Sequence, residues 1–156
     1  MIEISIPGDG SLRLSHLVMD YNGTLACNGA LLDGVAERLA ELAKHLSLYV
    51  LTADTFGTAR TVLADLPCTV HILPQVGQDH AKMAFVTQLG RSEAVCIGNG
   101  RNDKLMLQAA ALGIAIVGPE GAATDAVLAA DIVVPSIQVG LDLLLHPLRL
   151  VATLRS

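Results

Sequence analysis

The sequence predicts a single α/β domain over residues 1–156, with a mostly parallel sheet covered by helices on both faces. Three observations predict it. From residue 35 onward, short apolar runs alternate with segments of helical periodicity. The apolar runs are rich in Leu, Val, Ile and Ala, as strands buried on both faces are. Polar residues able to do chemistry follow several of these runs, at the strand ends where open α/β sheets collect their sites. The composition agrees: 52% of the 156 residues are hydrophobic and only 3% aromatic. The core must therefore be aliphatic.

The elements follow in order. Ile2, Ile4 and Ile6 alternate with polar neighbours, Pro7-Gly8-Asp9-Gly10 turns the chain, and Leu12 and Leu14 alternate again. That pattern predicts an N-terminal β-hairpin leading into a central strand, His16 to Met19. Asn28-Gly29 signals a second, tight hairpin. Val35, Leu39, Leu42 and Leu46 mark one face of a helix. Leu48 to Leu51 reads as a strand. Ala59, Val62, Leu63 and Leu66 mark a second helix, and Thr69 to Leu73 a further strand. Lys82 to Leu89 is helical and ends at Gly90. Ala94 to Ile97 is a strand. Asn102 to Ala111 is a helix closed by Gly113. Ile114 to Val117, Ala123 to Ala130, Ile132 to Val134 and Val139 to Leu145 continue the alternation. The intervening helices are expected to run 10–15 residues, as in βαβ units. Neither an internal repeat nor a low-complexity tract appears.

Composition also excludes functions. The formal net charge is -5 and no lysine-arginine cluster occurs, so the footprint of a nucleic-acid binder is missing. No apolar run approaches the roughly 18 residues of a membrane span, and the first ten residues lack the basic and apolar regions of a signal segment. Cys27, Cys68 and Cys96 have no metal-type spacing and read as reduced thiols, with Cys96 a core filler. A cytoplasmic location is expected. Only 16% of residues are charged, which points to further covered surface, as in a homo-oligomer.

The candidate site residues stand at successive strand ends. Asp20 ends Leu17-Val18-Met19, Thr52 ends Tyr49-Val50-Leu51, and Asn99 follows Val95-Cys96-Ile97-Gly98. Lys82 lies in the first turn of its predicted helix and shares a face with Phe85, Val86 and Leu89. Asp103 has the same relation to Met106, Leu107 and Ala110. Each has a bland reading alone: a helix-dipole charge for Asp103, a snorkelling lysine for Lys82, a strand-end cap for Thr52. Together they offer oxygen ligands for a hard cation, a nucleophilic carboxylate, a hydroxyl and an ammonium. Mg²⁺ takes oxygen ligands and keeps waters and phosphate, and phosphoryl transfer needs mainly positioning and charge neutralisation.

These residues resemble the motifs of the haloacid dehalogenase superfamily. Asp20-Tyr21-Asn22-Gly23-Thr24-Leu25 resembles its first motif, Asp-x-Asp-Gly-Thr-Leu. Leu51-Thr52 resembles the second, and Lys82 stands where the third has its lysine. Gly98-Asn99-Gly100-Arg101-Asn102-Asp103 resembles the fourth, Gly-Asp-Gly-x-Asn-Asp. Within the superfamily, Leu51-Thr52-Ala53-Asp54 and the segment Gly118 to Val134 look most like the phosphorylation domain of P-type ATPases, and the closest match is the soluble P-type ATPase-like group. The resemblance implies a Rossmann-like three-layer core and a Mg²⁺-dependent hydrolase acting on phosphate esters. It implies that Asp20 is the nucleophile that becomes an aspartyl-phosphate. Asp20, Asn99 and the backbone carbonyl of Asn22 would bind Mg²⁺, with Asp103 on the metal or its water. Thr52 and Lys82 would grip the phosphoryl oxygens, Asn102 would contact phosphate or orient its neighbours, and Gly23 would turn the chain beside the site.

Two positions depart from that pattern. Asn22 replaces the Asp that would protonate the leaving group and activate water, and an amide can do neither. Asn99 replaces an Asp and removes one charge from the metal site. Hydrolysis is therefore expected to be slow, with a non-catalytic Mg²⁺- and phosphate-binding regulatory module as the alternative. A receiver-like domain shares the plan but needs paired acids near the first strand. About 30 residues separate Asp20 from Thr52, and about 30 separate Thr52 from Lys82. Neither gap holds a cap domain. A partner subunit or a large phosphorylated substrate is expected to cover the site, the assembly reaching as far as a tetramer.

Overall fold

Alternation of Ile2, Ile4 and Ile6 with polar residues produces β1 (Ile2–Ile6) in the computed structural model, which describes residues 1–54 and 57–156. It pairs antiparallel with β2 (Gly10–Leu14), with Ile2 opposite Leu14 and Ile4 opposite Leu12. Ile4, Ile6 and Leu14 turn one side of this hairpin into the core. β3 (His16–Asp20) follows. A flap hairpin then forms from β4 (Ala26–Cys27) and β5 (Ala30–Leu31), with Asn28 and Gly29 both at positive φ, 51° and 80°. That is the two-residue turn that Asn-Gly favours.

The remaining elements are α1 (Val35–Leu42), β6 (Ser47–Thr52), α2 (Ala59–Val62), β7 (Thr69–Ile72), α3 (Gln78–Leu89) and β8 (Ala94–Gly98). Then come α4 (Lys104–Ala109), β9 (Leu112–Ile116), α5 (Thr124–Ala129), β10 (Ile132–Val134), α6 (Ile137–Leu145) and α7 (Pro147–Leu154). Six strands make one sheet in the order β10-β9-β8-β3-β6-β7, every neighbouring pair parallel.

Side-chain alternation sends each strand into two cores. Leu17, Met19, Val95, Ile97, Leu48 and Val50 face the side packed by α1, α2, α6 and α7. Val18, Ala94, Cys96 and Leu51 face the side packed by α3, α4 and α5. The central strands are therefore apolar at nearly every position, as strands of a sheet covered on both faces must be. A bidentate pair from Arg38 to Asp142, 2.8 and 3.1 Å, ties α1 to α6.

The chain runs from β3 outward to β6 and β7, and α3 then carries it back to β8 on the other side of β3. The strand order reverses there, opening a crevice beyond the carboxyl ends of β3 and β8.

Several expectations need correction. Apart from α3, the helices of the sheet crossovers are shorter than 10 residues. α2 is one turn, Val62 is exposed, and Leu66 lies past the helix. Pro67 disfavours helical backbone at Leu66 and lacks an amide donor, so the helix cannot extend through it. α3 begins at Gln78, which puts Lys82 in its second turn. Phe85 and Leu89 are only half-buried. α4 ends at Ala109, and Gly113 lies inside β9, where a Cβ would come within 2.5 Å of the Leu107 carbonyl oxygen. α7 extends the chain past the last predicted segment, with Pro147 at its first position.

Candidate active site

The predicted residues converge at the crevice. Asp20 is the last residue of β3, Thr52 the last of β6, and Asn99 follows β8. Lys82 reaches them from α3. It is fully buried and its Nζ donates to Asp20 Oδ1 at 2.7 Å and to Asp103 Oδ1 at 2.6 Å. Asp103 is also fully buried, and its Oδ2 accepts from the backbone N–H groups of Asn99 (2.9 Å) and Gly100 (2.8 Å). Asp103 thus closes the turn after β8 while it holds the lysine. Gly98 is what admits it, since a Cβ there would lie 2.4 Å from Asp103 Cγ.

Two carboxylates share one ammonium, so the buried cluster carries excess negative charge. Burial and the neighbouring Asp103 charge push the Asp20 carboxyl up to about 7, against the pull of Lys82. Burial works against the Lys82 charge, but Asp20 and Asp103 outweigh it and hold that pKa above the ordinary lysine range. The Cys96 thiol behind the site is raised by its own burial, which makes it an inert core group.

Thr52 Oγ1 accepts from the Asp54 backbone N–H at 2.9 Å, which leaves its own hydroxyl proton free to donate. Asp54 takes positive φ, 51°, and its Oδ1 accepts from the Ala59 N–H at 2.9 Å. Asn102 donates to Gln78 Oε1 at 2.8 Å and lines the rim. Gly23 has φ +83°, and a Cβ on it would come within 2.5 Å of the Asn99 amide. Only glycine combines that conformation with that approach.

Thr24 went unremarked as a site residue in the sequence. It is fully buried, and its hydroxyl sits 3.3 Å from both Asp20 Oδ2 and Asn99 Oδ1. Its signal was its place in the first motif. Gln78 and the Gly121 carbonyl, which accepts from Asn99 Nδ2 at 3.0 Å, also belong to the site. A backbone oxygen leaves no mark in a sequence.

The donor set fits a hard cation. Asp20 and Asn99 present oxygens on either side of the Thr24 hydroxyl, and the buried Asn22 Oδ1 has no hydrogen-bond partner. Among the described residues no group of three or more His, Cys, Asp or Glu converges as a metal cage. Few carboxylates with amide oxygens suit Mg²⁺, which keeps waters and phosphate.

No protein-family model matches the chain. A protein of Methanocaldococcus jannaschii, described as uncharacterised, is 44% identical over 79 residues, which is 48% of this chain and 85% of the archaeal one. A second from the same organism is 44% identical over 39 residues, 25% of this chain and 89% of that protein. Among solved structures, the cobalt-bound deoxy-D-mannose-octulosonate 8-phosphate phosphatase of Haemophilus influenzae superposes with a TM-score of 0.72. It is 15% identical and covers 92% of this chain and 94% of its own. The chain belongs to the family of the archaeal proteins and has a haloacid dehalogenase fold. The corresponding phosphatase of Moraxella catarrhalis, solved with magnesium, phosphate and its sugar acid, has the same fold (TM-score 0.65, 18% identity, 85% of this chain and 86% of its own). A zinc-transporting P-type ATPase matches 78% of this chain at 25% identity and a TM-score of 0.63, yet the match spans 20% of the pump. Among the described residues the haloacid dehalogenase fold here lacks a cap: β4, β5 and α1 lie between Asp20 and β6, and α2 and β7 lie between Thr52 and α3.

Proposed function

We propose that this chain is a Mg²⁺-dependent phosphatase or phosphotransferase that works through an aspartyl-phosphate on Asp20. One observation carries the reading: the Asp20 carboxylate ends the central strand in a polar cleft, 2.7 Å from a buried lysine that Asp103 holds in place. Asp20 attacks phosphorus. Lys82 and the Thr52 hydroxyl receive the phosphoryl oxygens, and Asn102 with Gln78 borders the leaving group. Asp20, Asn99 and the Asn22 carbonyl would hold Mg²⁺, which supplies neutralisation of phosphoryl charge and, beside Asp20, favours its ionised form. The superfamily phosphatases among the structural relatives support this reading, as do the magnesium and phosphate bound in the Moraxella catarrhalis structure.

Asn22 cannot act as acid or base, so hydrolysis of the aspartyl-phosphate is the slow step. The substrate is a phosphorylated small molecule or macromolecule, neither nucleic acid nor membrane being a partner. A second copy of the chain covers the capless cleft in a homo-oligomer, and the protein works in the cytoplasm. The amides at 22 and 99 favour one second reading, a regulatory module that binds Mg²⁺ and phosphate without turnover.

Phosphate release from a panel of esters, with Mg²⁺ or EDTA, separates the two. Wild type should release phosphate only with Mg²⁺, Asp20→Asn should release none, and Asn22→Asp should gain up to about 10²- to 10⁴-fold. No release from any ester, with Mg²⁺ still bound, would leave the regulatory module.

A further inference from the structure

Glu120 sits on the loop between β9 and α5. The Asn99 carbonyl accepts from the Ala123 N–H at 2.8 Å, and the Gly121 carbonyl accepts from the Asn99 side chain at 3.0 Å. Gly118 packs against the Gly23 carbonyl, where a Cβ would lie 3.4 Å away, and receives the Gly121 N–H at 2.9 Å. These contacts pin the loop to the first and fourth motifs on both sides of residue 120. Glu120 therefore lines the same cleft of about 200 Å³ as Asp20 and Asn22. That space holds roughly six water volumes, enough for a phosphoryl group and an attacking water.

The other carboxylates nearby are engaged. Asp20 and Asp103 hold Lys82, Asp54 accepts from Ala59, Asp79 meets His80, and Asp125 pairs with Arg101 at 3.1 Å. Glu120 is exposed and makes no ion pair or hydrogen bond among the described residues. A carboxylate with no partner of its own keeps its oxygens open to a water in the cleft.

We infer that Glu120 is the general base for hydrolysis of the aspartyl-phosphate, filling the role that the amide of Asn22 cannot. The inference rests on the proposed reaction at Asp20. Water oxygen bonds to phosphorus as its proton passes to the Glu120 carboxylate. The bond from phosphorus to the Asp20 oxygen breaks, and its electron pair returns to the Asp20 carboxylate. Inorganic phosphate leaves, and Glu120 gives its proton to solvent.

Rapid-quench kinetics with p-nitrophenyl phosphate and Mg²⁺ test this. The burst of nitrophenolate reads phosphorylation of Asp20, and the steady state reads hydrolysis. Glu120→Gln should keep the burst rate, slow the steady state about 10²-fold, and accumulate phosphoenzyme detectable by intact-protein mass. Asn22→Asp in that background should restore hydrolysis. An unchanged steady state, or a burst that falls with it, would overturn the role of Glu120. A wild type without an Asp20-dependent burst overturns the underlying reaction instead, and the inference with it. A burst lost only in Asp20→Asn leaves that reaction standing, so the Glu120→Gln result alone decides.

Discussion

Asp20, Lys82 and Asp103 form a buried trio in which charge does not cancel. Folded Asp20 binds its proton more tightly than the unfolded chain does, because burial and Asp103 disfavour its charge. Its contribution to stability is present at low pH and is lost as pH rises from the ordinary 3.8 through about 7. Metal-free wild type, compared with Asp20→Asn by thermal unfolding in EDTA, should therefore lose ground across that window. A difference between the two proteins that stays flat, or runs the other way, would contradict the assignment. The same trio explains what sequence could read. Lys82 was legible because a lysine on an apolar helical face needs an anion. The Gly121 carbonyl was not, because its role exists only where two distant segments meet.

At the scale of elements, glycine decides how closely the motifs approach. β8 ends at Gly98, and the next turn folds Asp103 back over that residue. Gly98→Ala would overpack this contact and should cost about 1–3 kcal/mol, read from urea unfolding, with loss of Mg²⁺ binding by calorimetry. An unchanged midpoint would mean that Asp103 moves aside without cost. Helix lengths were the weakest part of the reading. Periodicity marked Ala59 to Leu66 as one helix, but Pro67 and the return to β7 leave a single turn. Gly113 looked like a helix stop and instead serves tight packing of β9 on the Leu107 carbonyl. A glycine is the same letter in either case.

For the whole molecule, the open site and the exposed apolar residues bear on assembly. Val76, Leu128 and Leu148 are 80% exposed or more, in a chain with few charges to spare. Light scattering at high micromolar concentration should find a homo-oligomer, and a monomer there would refute that expectation. No single helix among the described residues is long and apolar enough to cross a membrane. α6 and α7 together reach that composition but are bent by 102°, and most of α6 is buried in the core.

The sequence alone determined the α/β class, the N-terminal and Asn28-Gly29 hairpins, and the strand ends that carry Asp20, Thr52 and Asn99. Each follows from local periods of two and 3.6 residues and from turn chemistry, which neighbouring residues encode. Tertiary structure alone decided that β8 returns beside β3 and that Lys82 is shared by two carboxylates. It also decided that Glu120, which reads as an ordinary loop charge, lines the cleft with Asp20. Those facts depend on contacts between residues up to about 100 positions apart, and such pairings are fixed by packing of the sheet rather than by any local pattern.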